Sequence, residues 1–195
     1  MLVVEQGCDR PFNSGALKNI GVQLAGGEDS DSVCLHDVDM LPDSELIPEY
    51  TKALSPAVVR HLASAYARYT RPSFLGGAVM LQMAVFRNVN GYPNELWGWG
   101  GEDDELRDRL TIDGVRLAVQ KCAGGITDLE GRTFTQKMTY LKKREQKCAN
   151  KRDLRRWHRT HPSEQGLAQV QWQVMDTLEY YPNCTQYTVN IVEPC

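Results

Sequence analysis

The stretch His36-Asp37-Val38-Asp39-Met40-Leu41-Pro42 sets two carboxylates at the polar end of an apolar run. Side chains on a strand repeat every two residues, so Asp37 and Asp39 are expected to project to the same side. Two anions held that close repel unless something positive joins them, and a hard divalent cation bridging a diphosphate is the usual solution. In open α/β sheets such ligands bind beyond the carboxyl ends of strands. The Asp-x-Asp pattern is short, and an exposed strand end with two solvated aspartates also accounts for it.

A second stretch, Trp97-Gly98-Trp99-Gly100-Gly101-Glu102-Asp103-Asp104-Glu105, alternates tryptophan with glycine and then runs into four acids. Glycine forfeits backbone entropy and packing in regular elements, so a sharply bent loop presenting flat indole rings explains the alternation better than a helix or strand. Indole faces suit the C–H faces of a sugar. Acids at a helix N-terminus are favoured by the macrodipole alone, which explains Glu102 to Glu105 but not the loop before them. One of these carboxylates would serve as a general base if the loop held a hydroxyl against it.

Regular elements must hold these two stretches. Leu2 to Glu5 reads as a short strand, and Asn13 or Ser14 caps a helix with Leu17, Ile20, Gly21 and Leu24 on one face, stopped by Gly26-Gly27. Val33-Cys34-Leu35 is a second strand leading into the Asp-x-Asp pattern, and strand, helix, strand implies a parallel pair with a crossover. Pro56 starts a predicted helix through Val58, Val59, Leu62 and Tyr66 toward Arg68. Ala78 to Leu81 is a strand, Met83 to Val89 a short helix, and Asn90 to Asn94 a turn. Glu102 opens a helix through Leu106 and Leu110 that closes near Gly114. Val170, Trp172 and Val174, then Tyr187, Val189 and Ile191, alternate as two strands paired around Tyr180 to Asn183. The expected class is α/β, with a mainly parallel central sheet and a mixed C-terminal edge.

With 195 residues, 42% hydrophobic and 24% charged, the chain is expected to form one domain over residues 1–195. A net charge of −3 gives no electrostatic case for nucleic acid as a partner. No run of roughly 18 apolar residues is present, so no membrane segment is expected within this chain. The six cysteines, Cys8, Cys34, Cys122, Cys148, Cys184 and Cys195, form no C-x-x-C pair, which argues against a zinc knuckle or thioredoxin-type site. Disulfides among them cannot be paired from sequence. Asn183-Cys184-Thr185 is an N-glycosylation pattern that matters only in a secretory lumen.

Phe12-Asn13 with the helix to Asn19-Ile20-Gly21, His36 to Pro42, Phe74-Leu75-Gly76-Gly77, Asn90 to Asn94, Trp97 to Asp104, and Thr185-Gln186-Tyr187-Thr188-Val189 together resemble, in that order, the β-1,4-galactosyltransferase family (glycosyltransferase family 7). The resemblance runs from about residue 2 to residue 192, and the Trp-Gly-Trp-Gly-Gly-Glu-Asp-Asp stretch is its most specific part. It implies the nucleotide-sugar-binding fold called GT-A, a Mn²⁺ cofactor with Mg²⁺ as the substitute, a UDP-sugar donor, a glycan or glycoconjugate acceptor, and inversion at the donor carbon. Carried over by position, Asp39 is a metal ligand; Asp37, Val38 and Gly77 line the donor pocket; Phe12 and Asn13 flank the nucleotide; Trp99 sits on the donor loop. Asp103 is the base, and Phe74, Gly101, Glu102 and Asp104 hold the acceptor. The family's setting implies the Golgi lumen.

Three departures accompany the match. The family's Pro-aromatic-Arg-x-Arg segment lies on a strand before the one that begins here, so the first strand of the fold is expected to be missing. Ser14 stands where the family has an arginine. Where the family carries a histidine ligand after the next strand, this chain has Gly124-Gly125-Ile126-Thr127-Asp128-Leu129-Glu130-Gly131-Arg132, which offers Glu130 as second metal ligand and Asp128 behind it. His158 and His161 are alternatives, set in Lys142 to His161, where nine Lys or Arg stand against Glu145 and Asp153. That basic run is a solvated helix face or a source of cations for a diphosphate. The expected function is metal-dependent, inverting transfer of galactose or a related hexose from a UDP-sugar to a terminal sugar hydroxyl on GlcNAc or xylose. A sugar-binding pseudoenzyme that keeps the fold without turnover is the alternative, and the Trp-Gly loop disfavours a phosphohydrolase.

Overall fold

A computed structural model of the chain describes residues 1–55, 58–65, 74–115, 124–144, 147–148 and 150–192. These group into two compact units, the first made of residues 1–26, 90–105 and 140–195 and the second of residues 27–89 and 106–139.

The first unit is built on the sheet order β1–β8–β7, from Leu2–Gln6, Cys184–Val192 and Gln171–Tyr181. β1 runs parallel to β8, with Leu2 opposite Thr185 and Gln6 opposite Val189. β7 and β8 form the expected antiparallel hairpin, closed by a tight turn at Asn183. Helix α1, Ser14–Ala25, lays Ala16, Leu17 and Ile20 against Val170, Val189 and Ile191 to form the core. The Asn13 side chain caps α1 by accepting from the Ala16 amide at 3.0 Å. Asn19, fully buried on the same helix, donates to the Tyr92 carbonyl at 2.7 Å and accepts from the Tyr92 amide at 3.0 Å. A buried amide satisfied this way fixes the turn at residues 90–94, and so the start of the Trp-Gly loop.

In the second unit β5 (Ala78–Gln82) lies between β2 (Ser32–His36) and β4 (Arg60–His61), both antiparallel to it. A short antiparallel pair, β3 (Met40–Pro42) with β6 (Ile126–Asp128), completes the described strands. Met40, Leu46, Leu54, Leu62, Ala78, Met80 and Ile126 share its core. Helix α2 covers Met83–Asn88, α3 Glu102–Ile112, α4 Phe134–Lys143 and α5 Lys151–His158. No helix among the described residues is long and apolar enough to cross a membrane.

The α/β class holds, with two local differences. β1 and β2 belong to separate sheets, and parallel pairing among the described strands is confined to β1 and β8. Parallel neighbours need a crossover but not adjacency in sequence, and here the last strand supplies the partner. The helix predicted from Pro56 is instead, over its described part, strand β4 followed by a 3₁₀ turn at Leu62–Ala65; Pro56 and residues 66–68 lie outside the described residues. Arg60 donates to the Glu49 and Lys52 carbonyls at 2.8 Å each, and His61 Nε2 to the Gly76 carbonyl at 2.8 Å. These long-range bonds outweigh the helical spacing of Val58, Val59 and Leu62.

Candidate functional site

In the second unit the Asp-x-Asp pattern forms a tight turn and not the end of a strand. β2 stops at His36, and the Met40 amide reaches back to the Asp37 carbonyl at 3.2 Å. Val38 at the tip is 85% exposed. The Asp37 amide donates to the Gly77 carbonyl at 2.7 Å, so Gly77, at φ 86°, anchors the turn. The two aspartates thus stand on a turn between β2 and β3, with the Asp37 charge still acting on Asp39.

Asp39 is brought instead to the residues after β6. Met40 lies opposite Asp128 in the ladder, and the Leu129 amide donates to the Asp39 carbonyl at 2.8 Å. Asp43 ties the same hairpin from the other end, accepting from the Gly125 amide at 2.6 Å and the Leu46 amide at 2.9 Å. As a result carboxylate oxygens of Asp39, Asp128 and Glu130 all fall within 4.8 Å of one another. Oxygens on opposite sides of a Mg²⁺, Mn²⁺ or Ca²⁺ ion, each at roughly 2.0–2.6 Å, lie about 4–5 Å apart, so the spacing and the all-oxygen donor set fit a hard divalent ion.

The electrostatics point the same way. Burial, then the charges of Asp37 and Asp128, push the Asp39 carboxyl above its usual range, against a smaller opposing effect of Lys137. Burial also raises Glu130, but hydrogen bonds from Lys137 and Arg132, reinforced by their charges, outweigh it and hold that carboxyl low. The ion-pair distances are 2.8 Å from Lys137 and 2.9 Å from Arg132. Asp39 thus faces an unbalanced negative field, while Glu130 has resident cations.

The first unit carries the Trp-Gly loop. Gly98, Gly100 and Gly101 all take positive φ, at 88°, 99° and 112°, a region that side chains avoid. The Gly98 amide donates to the Phe12 carbonyl at 2.8 Å, and the Arg10 guanidinium stacks on the Trp97 ring at 3.5 Å. Trp97 packs against the core, whereas Trp99 keeps 39% of its surface exposed. The Lys151 stem lies along Gly101, where an added Cβ would come within 3.0 Å of it.

Gly101 leads into α3, and the Glu105 amide bonds back to the Gly101 carbonyl at 2.9 Å. The four acids of the first turn have different surroundings. Asp103 lies 3.8 Å from the Lys18 ammonium. Asp104 pairs with Arg155 at 3.1 Å, with Lys151 at 3.9 Å. Glu105, almost fully buried, takes Arg155 Nε at 3.1 Å. Glu102 remains half-buried.

Other predicted site residues are more dispersed. Phe12 is 60% exposed beside the loop, but Asn13 is buried and committed, capping α1 and donating to the Asn94 carbonyl at 2.7 Å. Phe74, half-buried in the second unit, faces His61 with ring centroids 6.1 Å apart. His158 is buried between Glu95 and Glu105, and His161 stacks on Trp157 at 4.7 Å, so both are engaged within the first unit. Lys151 and Arg155 of the basic run turn to the acids of α3. Cys8, Cys34, Cys148 and Cys184 are free thiols, with Cys34 pushed up to about 12 by burial; Cys122 and Cys195 lie outside the described residues. Asn183 of the glycosylation pattern stands exposed at the β7–β8 turn.

Lys18, Asp43 and Lys137 escaped the sequence reading. Asp43 had a signal, since an Asp side chain commonly accepts from the backbone amide two residues on, here that of Glu45 at 3.0 Å. Lys18 carried none, because Asp103 lies far along the chain, and the Lys137–Glu130 pair joins a loop to the first turn of α4 at a spacing that matches no helical contact pair.

Over residues 57–132 the chain matches the family described as the N-terminal domain of galactosyltransferase. It is 32% identical over 190 residues to β-1,4-galactosyltransferase 7 of Drosophila melanogaster, a match covering 94% of this chain and 56% of the relative. Human β-1,4-galactosyltransferase 3 is 35% identical over 121 residues, covering 60% of this chain and 30% of the relative. Among solved structures, a variant of Drosophila β-1,4-galactosyltransferase 7 in complex with manganese, UDP-Gal and xylobiose aligns with TM-score 0.76 at 22% identity, covering 100% of this chain and 81% of that chain. That likeness establishes the GT-A fold. The chain spans little more than half the length of the fly relative, 56%.

Proposed function

We propose, since the chain belongs to the β-1,4-galactosyltransferase family, that it transfers galactose with inversion from UDP-galactose to a terminal sugar hydroxyl, using a divalent metal ion. The observation that carries the reading is the convergence of Asp39, Asp128 and Glu130 within 4.8 Å, three hard oxygen donors at the end of the Asp-x-Asp turn.

These three carboxylates would hold Mn²⁺ or Mg²⁺, which when bound neutralises the leaving diphosphate. The resemblance assigns Asp37, Val38 and Gly77 to the donor and Phe12 to its nucleotide, while the buried Asn13 holds the Phe12 segment in place. Trp99 covers the donor from its glycine loop. Asp103 accepts the proton of the acceptor hydroxyl as that oxygen attacks from the face opposite UDP, so one base suffices and no covalent intermediate forms. The resemblance also assigns Gly101, Glu102, Asp104 and Phe74 to the acceptor.

The acceptor is a xylose terminus, supported by the match to the fly protein over 94% of this chain and by the xylobiose bound in its solved structure. The setting is the Golgi lumen, as for family members generally. The deciding experiment measures UDP release from UDP-galactose, UDP-glucose and UDP-N-acetylgalactosamine with xyloside or GlcNAc acceptors, in Mn²⁺, Mg²⁺ or chelator. Release that needs UDP-galactose, metal and a xyloside fits the proposal. Release with GlcNAc alone would replace the acceptor, and sugar-nucleotide binding without any release would leave a binding protein in place of an enzyme.

A further inference from the structure

Glu130 is the proposed second metal ligand, and each of its oxygens faces a cation. Arg132 Nη1 lies 2.9 Å from Oε1 and Lys137 Nζ 2.8 Å from Oε2. The Lys137 side chain is only 16% exposed, so the contact is shielded from bulk water.

The position of Lys137 is set by a capping box. The Thr133 hydroxyl accepts from the Gln136 amide at 3.2 Å, and the Gln136 side chain accepts from the Thr133 amide at 2.8 Å, which fixes the first turn of α4. Lys137 follows directly, in the turn where the helix dipole disfavours a cation. A lysine held at that end and turned away from water needs a compensating anion, and Glu130 is that anion.

Resting on the metal-site reading above, we propose that Lys137 is a resident counter-cation which a divalent ion must displace from Glu130. Without metal the ammonium partly neutralises the three-carboxylate cluster. Metal entry requires Lys137 to leave Glu130 Oε2, and the like charge nearby lowers the affinity of the site. The arriving diphosphate offsets that repulsion, so metal is retained firmly only together with the nucleotide.

The test is direct Mn²⁺ binding to the whole chain, followed by electron paramagnetic resonance of free Mn²⁺, with and without UDP. Wild type, Lys137→Gln, Lys137→Arg and Asp39→Asn are compared. The expected result is Mn²⁺ affinity about tenfold tighter for Lys137→Gln without UDP, equivalent to ~1.4 kcal/mol, a smaller gain with UDP, and near-wild-type affinity for Lys137→Arg. Unchanged or weaker binding by Lys137→Gln, or equal tightening by Lys137→Arg, overturns the role of Lys137 while leaving the site intact. Failure of the wild type to bind Mn²⁺ better than Asp39→Asn overturns the metal-site reading and this inference with it.

Discussion

Lys18 of α1 places its ammonium 3.8 Å from Oδ1 of Asp103, and the two side chains are only 12% and 16% exposed. Asp103 is thereby oriented by a cation from a separate segment while standing at the first turn of α3. The Asp103→Asn variant keeps this shape and removes the proposed base. Its kcat is expected to fall about 10²–10⁴-fold, with UDP-galactose affinity nearly unchanged by calorimetry. Retention of full activity would remove Asp103 from the mechanism.

Asp39 is proposed above to hold the metal ion that meets the donor diphosphate. Asp39→Ala is expected to abolish the metal dependence of UDP binding, visible as coincident titrations in Mn²⁺ and in chelator. A preserved Mn²⁺ enhancement would mean that Asp39 is not a ligand.

Gly124 and Gly131 bracket the loop that carries Asp128 and Glu130, and both have positive φ, 86° and 64°. A Cβ on Gly124 would come within 2.5 Å of the Leu46 nitrogen and 2.8 Å of Asp43 Oδ1, whereas one on Gly131 would meet nothing within 4 Å. Gly124→Ala is therefore expected to cost ~2–4 kcal/mol, from backbone strain and overpacking together. Gly131→Ala bears only the strained φ, about 1 kcal/mol. Equal denaturant midpoints for the two variants would contradict this account.

His61 is buried, and burial lowers its proton affinity below the ordinary histidine value, outweighing the opposing effect of its bond to Gly76. The unfolded chain therefore binds the proton more readily. Stability from this group is fully present above about pH 6.5 and declines as pH falls toward its folded pKa. Wild type is expected to lose melting temperature between neutral pH and pH 5 more steeply than His61→Gln. Parallel pH profiles would show that His61 does not titrate as argued.

Much of this could be seen in the sequence because local rules were enough. Asn13 as a cap, the Gly26-Gly27 stop, the β7–β8 alternation and the acidic start of α3 each depend on neighbouring residues only. Asp39, Asp128 and Glu130 could be singled out by type and position, yet their convergence depends on the β3–β6 ladder and on Asp43, a pairing with no local signature. The Asp37–Met40 turn was missed because an apolar run followed by alternating acids reads equally as a longer strand. Arg60 and His61 were assigned to a helix because apolar spacing says nothing about carbonyls brought from Glu49, Lys52 and Gly76.

Phe74 is half-buried, its ring centroid 6.1 Å from that of His61. If this ring, proposed for the acceptor side, also limits the space beside the donor sugar, UDP-galactose is preferred over UDP-N-acetylgalactosamine, since an acetamido group pressed against a packed ring costs about 1–3 kcal/mol. Phe74→Leu is expected to relax that preference by roughly tenfold or more in kcat/KM. An unmoved ratio would exclude a steric role for this ring.

The parallel ladder between β1 and β8 sets a condition on synthesis. Leu2 to Gln6 pair with Thr185 to Val189, so the partner of the first strand emerges from the ribosome after nearly everything else described here. Until then Leu2, Val3 and Val4 lack this partner, and α1 lacks Val170, Val189 and Ile191 to bury its apolar face. The second unit ends by residue 139 and has its own strands and core well before that. Closing a contact across so long a stretch of chain is slow. A nascent chain halted at about residue 180 would therefore hold a formed second unit and an unsatisfied α1, the state most exposed to chaperones and to misassociation.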